Sequence, residues 1–275
     1  MNDIQRKATD ILRCFVDICN KLDIRYYLVC GTALGAVKYQ GFIPWDDDVD
    51  VGLLRPDYER FLKEAPAYLP EHYFLQNYRT DPMFPQPYSK LRDSNTTFIE
   101  TNKAHLPMNH GIYIDIFPLD GYPKTEKEQK KLEWRKRILS WQWGCALEGK
   151  RSLVSTVHCT FFRLIGCRKR TAKLLDKFDK VMSAWPVEDS EIWCNHGNWQ
   201  GRLEYADRRQ YGEGTEAVFE GIPVRIPADY DAYLTQKYGD WRADLPEDQK
   251  KSHHFNLVTD PDRPYTYYTA ERPKV

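Results

Sequence analysis

Four aspartates stand within five positions, at Asp46, Asp47, Asp48 and Asp50, and another, Asp115, lies between Ile114 and Ile116. Crowding carboxylates is unfavourable unless a cation is meant to sit among them. Hard divalent ions such as Mg²⁺ or Mn²⁺ take oxygen ligands, usually one or two carboxylates together with substrate phosphates. The alternation Asp48, Val49, Asp50, Val51 has the period of a strand with its aspartates on one face and its valines in the core. If the strand through Asp115 lies beside it, Asp48, Asp50 and Asp115 converge on one point of a sheet surface. That is the arrangement expected of one or two ions that polarise a phosphoryl group and align its displacement.

Three other readings of the cluster are weaker. A solvated acidic turn does not usually alternate with valines. Asp46, Asp48 and Asp50 match the first ligand positions of a calcium loop, but Val51 stands where its glycine belongs and Asp57 where its bidentate glutamate belongs. A nucleotide-sugar glycosyltransferase would place several βα units ahead of its DxD, and only one strand precedes this one.

The elements that must hold these residues are legible around them. Ile4, Ile11, Phe15, Ile18 and Leu22 mark an amphipathic helix over roughly 3–22, followed by a strand at 24–30 that stops at Gly31-Thr32. A short helix follows at 33–39, then a loop ended by Pro44. Pro56 starts a helix whose inner face is Tyr58, Phe61, Leu62 and Ala65. Strands are expected at 72–76, 87–92, 96–100 and 112–117. From Lys124 to Lys180 the pattern turns helical, with apolar positions such as Leu132 and Leu139. The remainder is aromatic-rich, with a hairpin at 217–226 and a helix near 229–238. The expectation is a mixed α/β (α+β) fold in three parts: a catalytic core at 1–123, a basic helical segment at 124–185 and a C-terminal portion at 186–275 that completes the cleft.

Composition narrows the function. The chain has 275 residues with 40 Lys and Arg against 40 Asp and Glu, a balance that argues against a dedicated nucleic-acid binder. The balance is uneven along the chain: residues 124–180 carry 16 Lys and Arg against 6 Asp and Glu, a net +10 offset by −10 elsewhere. Such a segment is suited to an anionic membrane surface, with a solvated helical face as the plain alternative. No apolar run approaches the roughly 18 residues a spanning helix needs. Asp10, Arg13 and Asp17 interrupt what would be the core of a secretory signal, so a cytoplasmic location, with peripheral contact at the inner membrane face, is expected. The seven cysteines form no CxxC pair and suit free thiols, and Cys145, His158, Cys159 and Cys167 fit no common zinc spacing.

The wording of several segments is more specific than a bare DxD. YYLVCGTALGAVKYQGFIPWDDDVDVGLLRPDYERF (26–61), YSKLRDSNTTFIE (88–100), GIYIDIFPLDGYP (111–123) and VFEGIPVRIPADYDAYLTQKYGDW (218–241), with HHF at 253–255, resemble the LicD family of phosphocholine transferases. That family lies within the DNA polymerase beta-like nucleotidyltransferase superfamily and is related to fukutin and fukutin-related protein. The resemblance implies a nucleotidyltransferase-like sheet and metal-dependent transfer of a phospho-alcohol, typically phosphocholine from CDP-choline, to a glycan or lipid-linked glycan hydroxyl with release of CMP. It implies that Asp48, Asp50 and Asp115 are the metal carboxylates and that Gly31 and Thr32 form the turn cradling the donor phosphates, where glycine allows close backbone approach. Lys38, Lys90 and Arg92 fall at positions the family fills with basic residues that neutralise diphosphate charge. His253 and His254 are candidates for positioning acceptor or phosphate, with a structural role as the alternative.

A quaternary ammonium donates no conventional hydrogen bond and is best held over aromatic faces. Phe, Trp and Tyr make up 14% of the chain, and Trp45, Tyr113, Tyr122, Trp141, Trp143 and Trp199 are available for this or for the core. Two rival functions remain open at this level: nucleotidyl transfer at the α-phosphate of a nucleoside triphosphate, and a non-catalytic choline- or glycan-binding module.

Overall fold

The computed structural model describes residues 1–144, 171–197, 201–246, 250 and 255–269. His158, Trp199, His253, His254, Cys145, Cys159 and Cys167 lie outside the described residues, and of Trp141 and Trp143 only the helical backbone is described. The described cysteines Cys14, Cys19, Cys30 and Cys194 are thiols.

Helix α1 (Asp3–Lys21) opens with a capping box: the Asn2 side chain accepts from the Gln5 amide while the Gln5 side chain accepts from the Asn2 amide. Its stripe of Ala8, Ile11, Leu12, Phe15, Ile18 and Cys19 is buried in the main core. Then come β1 (Tyr27–Leu28), α2 (Cys30–Tyr39), β2 (Asp50–Leu54), α3 (Arg55–Glu64), β3 (Tyr73–Gln76), β4 (Ser89–Asp93), β5 (Thr97–Glu100) and β6 (Ile112–Gly121). Helices α4 (Glu126–Gly144) and α5 (Thr171–Met182) pack on each other. The last elements are β7 (Ile192–Cys194), β8 (Tyr205–Asp207), α6 (Arg208–Tyr211), β9 (Thr215–Phe219), β10 (Ile222–Ile226), α7 (Tyr230–Tyr238), β11 (Asn256–Asp260) and α8 (Tyr265–Thr269).

The principal sheet is mixed, in the order β1-β2-β6-β4-β3, with β7 joining the far end of β6 and carrying β8. Only β2 and β6 run parallel; the other pairs are antiparallel. Every residue of β6 is buried, so the strand is covered on both faces. It tolerates Pro118 for a local reason. The Asp115 amide donates to Val49, so residue 118, three positions on, faces the β4 edge, where β4 has already ended opposite Ile116. The β9–β10 hairpin turns at Glu220-Gly221, both with positive φ, and a glycine at the second of these meets no steric penalty. Strand β11 returns to pair with β5. Among the described residues no helix is long and apolar enough to cross a membrane.

Two local expectations change. The strand at 24–30 contracts to two residues, and Gly31-Thr32 lies in the first turn of α2 instead of in a loop. Cys30 enters that helix with φ 55, so the chain reverses sharply between β1 and α2. The acidic run is strand only from Asp50 onward; Asp48 sits in the extended segment leading into β2.

Candidate active site

Asp50 and Asp115 stand directly opposite each other on the parallel pair β2–β6. Their side chains therefore share one face, where a cavity of about 800 Å³ opens. Asp46 and Asp48 also line this cavity, as do Gly31, Lys38 and Trp45. The expected carboxylate cluster thus forms the floor of a ligand-sized space. The convergence is looser than expected, because no group of three or more His, Cys, Asp or Glu among the described residues closes into a complete metal cage.

The electrostatics of the floor favour a cation. Burial, followed by the charges of Asp115 and Asp46, pushes the Asp50 carboxyl up to about 8. Lys90 of β4 lies opposite Asp115, its ammonium 2.7 Å from Oδ1, yet that oxygen is buried without a hydrogen bond. The pair is close in charge but misaligned for donation, so we take Oδ1 as an acceptor with unused capacity. Burial in turn pulls Lys90 down to about 8 against the attraction of Asp115. An all-oxygen donor set, a buried carboxylate oxygen that is ion-paired but not hydrogen-bonded, and a neighbouring carboxyl raised by burial and by adjacent charges fit a hard divalent ion that also takes oxygens from a phosphorylated substrate.

The N-terminal turn of α2 adjoins this floor. A Cβ on Gly31 would fall 3.0 Å from Asp46 Oδ2, so a side chain there would crowd the acidic loop. Thr32 is buried outside the cavity lining. Its hydroxyl oxygen accepts from the Asp50 amide at 2.8 Å and so fixes the start of β2. The acidic loop is also tied to α1, whose Gln5 side chain donates to the Asp46 carbonyl at 2.8 Å.

The other basic candidates separate. Lys38 lines the cavity and donates to the Arg242 and Ala243 carbonyls, with the Asp244 carboxylate 2.9 Å away. Lys90 and Arg92 share one face of β4, and both are buried outside the cavity lining; Lys90 reaches the site through Asp115, whereas Arg92 points into the core. It donates to Gln76 and, at 2.6 Å, to the Gly111 carbonyl. Tyr113 lies between Lys90 and Arg92, 3.2 and 4.7 Å from its ring centroid, and Glu100 completes the buried group with Lys103 at 2.6 Å. Against the upward push of burial, Lys103, Lys90 and Arg92 hold the Glu100 carboxyl well below its ordinary range.

Several lining residues lay beyond the motifs. Lys136 and Ser140 come from α4, His196 and Gly197 from the segment after β7, and Leu245 from beyond α7, whereas Tyr238 and Trp241 lie within the 218–241 segment without having been singled out. Lys136 carried a signal: it falls on the Leu132–Leu139 stripe, where a cation must have a polar partner, here the Tyr205 hydroxyl at 3.1 Å. Burial, then Lys136 and Arg55, keeps His196 well below its usual pKa and therefore neutral. Behind Cys30, the buried Lys237 of α7 pairs with Glu204 and reaches the Cys30 sulfur at 3.3 Å. Of the aromatics singled out in the sequence, Trp45 is at the cavity, whereas Tyr113 and Tyr122 are buried elsewhere.

Residues 23–142 match the domain family described as LicD/FKTN/FKRP, nucleotidyltransferase domain. Over 264 residues, 92% of this chain and 96% of the relative, the sequence is 27% identical to the lipopolysaccharide cholinephosphotransferase LicD of Haemophilus influenzae. An uncharacterized protein of Rickettsia prowazekii is 29% identical over 122 residues, 43% of this chain and 42% of its own length. One from Rickettsia typhi is 36% identical over 67 residues, 23% and 22% respectively.

Proposed function

From its membership of the LicD family, carried by the domain at residues 23–142, we propose that this chain is a phosphotransferase moving phosphocholine from CDP-choline to a sugar hydroxyl of a lipopolysaccharide-type glycan. The observation that carries this reading is the in-register pair Asp50 and Asp115 on the floor of a cavity large enough for a nucleotide-linked alcohol. The domain is read as a nucleotidyltransferase-like sheet whose β2 and β6 present the metal carboxylates.

Asp48, Asp50 and Asp115 would hold Mg²⁺ or Mn²⁺, which supplies charge neutralisation and polarisation of the transferred phosphoryl group. Gly31, at the start of α2, lets the donor phosphates approach the backbone, and Lys38 and Lys90 add positive charge. The glycan oxygen attacks the phosphorus bearing choline, forming an O–P bond as the P–O bond of the diphosphate breaks. CMP leaves, and a floor carboxylate accepts the hydroxyl proton. Thr32 acts through Asp50 by holding its amide. Release of CMP from CDP-choline by the purified protein with Mg²⁺ and a glycan acceptor tests the reading, and no release from any CDP-alcohol would overturn it.

The domain's description as a nucleotidyltransferase favours one second reading, attack at the α-phosphate of a nucleoside triphosphate. Pyrophosphate as the small product would establish it in place of the first. For an acceptor assembled on lipid, α4 would be the surface that meets the membrane, a reading supported by Lys130, Lys131, Trp134 and Arg137, which are exposed at helical spacing. Flotation with anionic vesicles that is abolished by salt supports this contact, and absence of flotation removes it.

A further inference from the structure

Six aromatic side chains line the cavity: Tyr39, Trp45, Tyr88, Phe117, Tyr238 and Trp241. Only two carbons separate the ester oxygen of phosphocholine from its ammonium, so the face that holds the ammonium must adjoin the carboxylates that handle the phosphate. Tyr88 and Phe117 adjoin Asp115, but they pack against each other as tilted rings with centroids 4.5 Å apart within an apolar cluster, and the Lys90 ammonium, held by Asp115, lies 5.8 Å from the Tyr88 ring. Tyr39 ends α2 and Trp241 lies beyond α7, while Tyr238, the last residue of α7, feels the charges of Cys30, Asp50 and Asp46 and presents a phenol face, weaker for a cation than an indole. Trp45 directly precedes Asp46 in a turn closed by the Asp46 amide donating to the Ile43 carbonyl at 2.9 Å. It is half-buried, and the ammonium of Lys250 lies over its ring, 5.5 Å from the centroid.

We propose that the indole face of Trp45 is the subsite for the quaternary ammonium of the transferred alcohol, and that Lys250 is the internal cation the donor displaces from it. This rests on the phosphocholine reading above. Indole is the strongest of the aromatic faces for a cation, and Asp46 and Asp48 beside it add negative charge that a neutral alcohol would not use. Lys250, carried by the chain itself, shows that an ammonium reaches this face.

The test measures binding of CDP-choline, CDP-glycerol and tetramethylammonium by calorimetry, alongside CMP release. In Trp45→Leu the ratio of CDP-choline to CDP-glycerol affinity should fall roughly tenfold, with Trp45→Phe recovering part of it. Lys250→Met should tighten CDP-choline binding roughly threefold by removing the competitor. Equal losses for both donors in Trp45→Leu, or no loss, would overturn the subsite, and weaker CDP-choline binding in Lys250→Met would overturn the competition. If no CDP-alcohol yields CMP but wild type binds tetramethylammonium and Trp45→Leu does not, the reaction is wrong and the subsite stands. Wild type that binds neither CDP-choline nor tetramethylammonium overturns both.

Discussion

Strand β6 carries two buried aspartates five residues apart, Asp115 and Asp120, and the sheet treats them oppositely. The odd spacing puts them on opposite faces. Asp120 receives both arms of the Arg55 guanidinium, at 2.7 and 2.8 Å, and the same Arg55 donates to Asp179 of α5 at 2.8 Å. Asp115 faces the cavity beside Asp50, its Oδ1 ion-paired with the Lys90 ammonium at 2.7 Å but without an aligned hydrogen bond. A buried carboxylate with a full set of partners secures packing. One that keeps unused capacity at a cavity wall is held for something that arrives.

The sharpest way to break this contrast is to exchange the consequences. Asp50→Asn and Asp115→Asn should each lower CMP release by roughly 10³-fold or more, since each removes a ligand of the phosphoryl-activating ion. Chelation by EDTA should do the same to wild type and be reversed by Mg²⁺. Asp115→Asn leaves the Lys90 ammonium buried without its carboxylate and should melt lower than wild type, whereas Asp50→Asn should melt no lower. An acid whose folded pKa is raised, as at Asp50, costs stability at every pH above its unfolded value, and the neutral amide lifts that cost. Near-wild-type turnover in both would remove the site.

Asp120→Ala should do the reverse, costing about 3–5 kcal/mol in urea unfolding because Arg55 is left buried without its main partner. The folded fraction should keep its activity. Should Asp120→Ala melt like wild type while abolishing turnover, the division of labour along β6 is wrong. Thr32→Val sits between the extremes. Loss of the acceptor for the Asp50 amide should cost about 1–3 kcal/mol and lower kcat more than it changes KM. The smallest change is expected of Lys38→Ala, about a threefold rise in donor KM, weaker at high salt, because the half-buried lysine is already engaged by two carbonyls and by Asp244.

Elements with a strong period were readable without a structure. The α1 stripe, the Pro56 helix start, the 217–226 hairpin and the alternation around Asp115 all appear where the sequence puts them. Asp50 and Asp115 were readable as partners for the same reason, since period-two alternation names the face before the neighbour is known. Register was not readable. Lys90 and Arg92 look equivalent on one face of β4, yet one falls opposite Asp115 and the other opposite Tyr113, beside Glu100 of β5. Only the pairing of β4 with β6 tells the partner of a cavity carboxylate from the partner of a core aromatic, both lysine and arginine being buried outside the lining. Gly31-Thr32 looked like a phosphate turn, and the positive φ of Cys30, which no motif announces, makes it a helix start. The Lys237–Glu204 pair and His196 come from segments far apart in the chain, where neither partner marks the other.

The cavity is assembled from stretches near residues 30–50, 86–117, 136–140, 196–201 and 238–245, and β11 must travel back from Asn256 to pair with Glu100. During synthesis at about 5–20 residues per second, the aspartates would leave the ribosome many seconds before the far wall exists. A nascent chain of 130 residues would show its acidic strands to free cations without a closed cleft around them, and β5 would wait as an unpaired edge. Shielding that edge until the last strand arrives is a task for a chaperone.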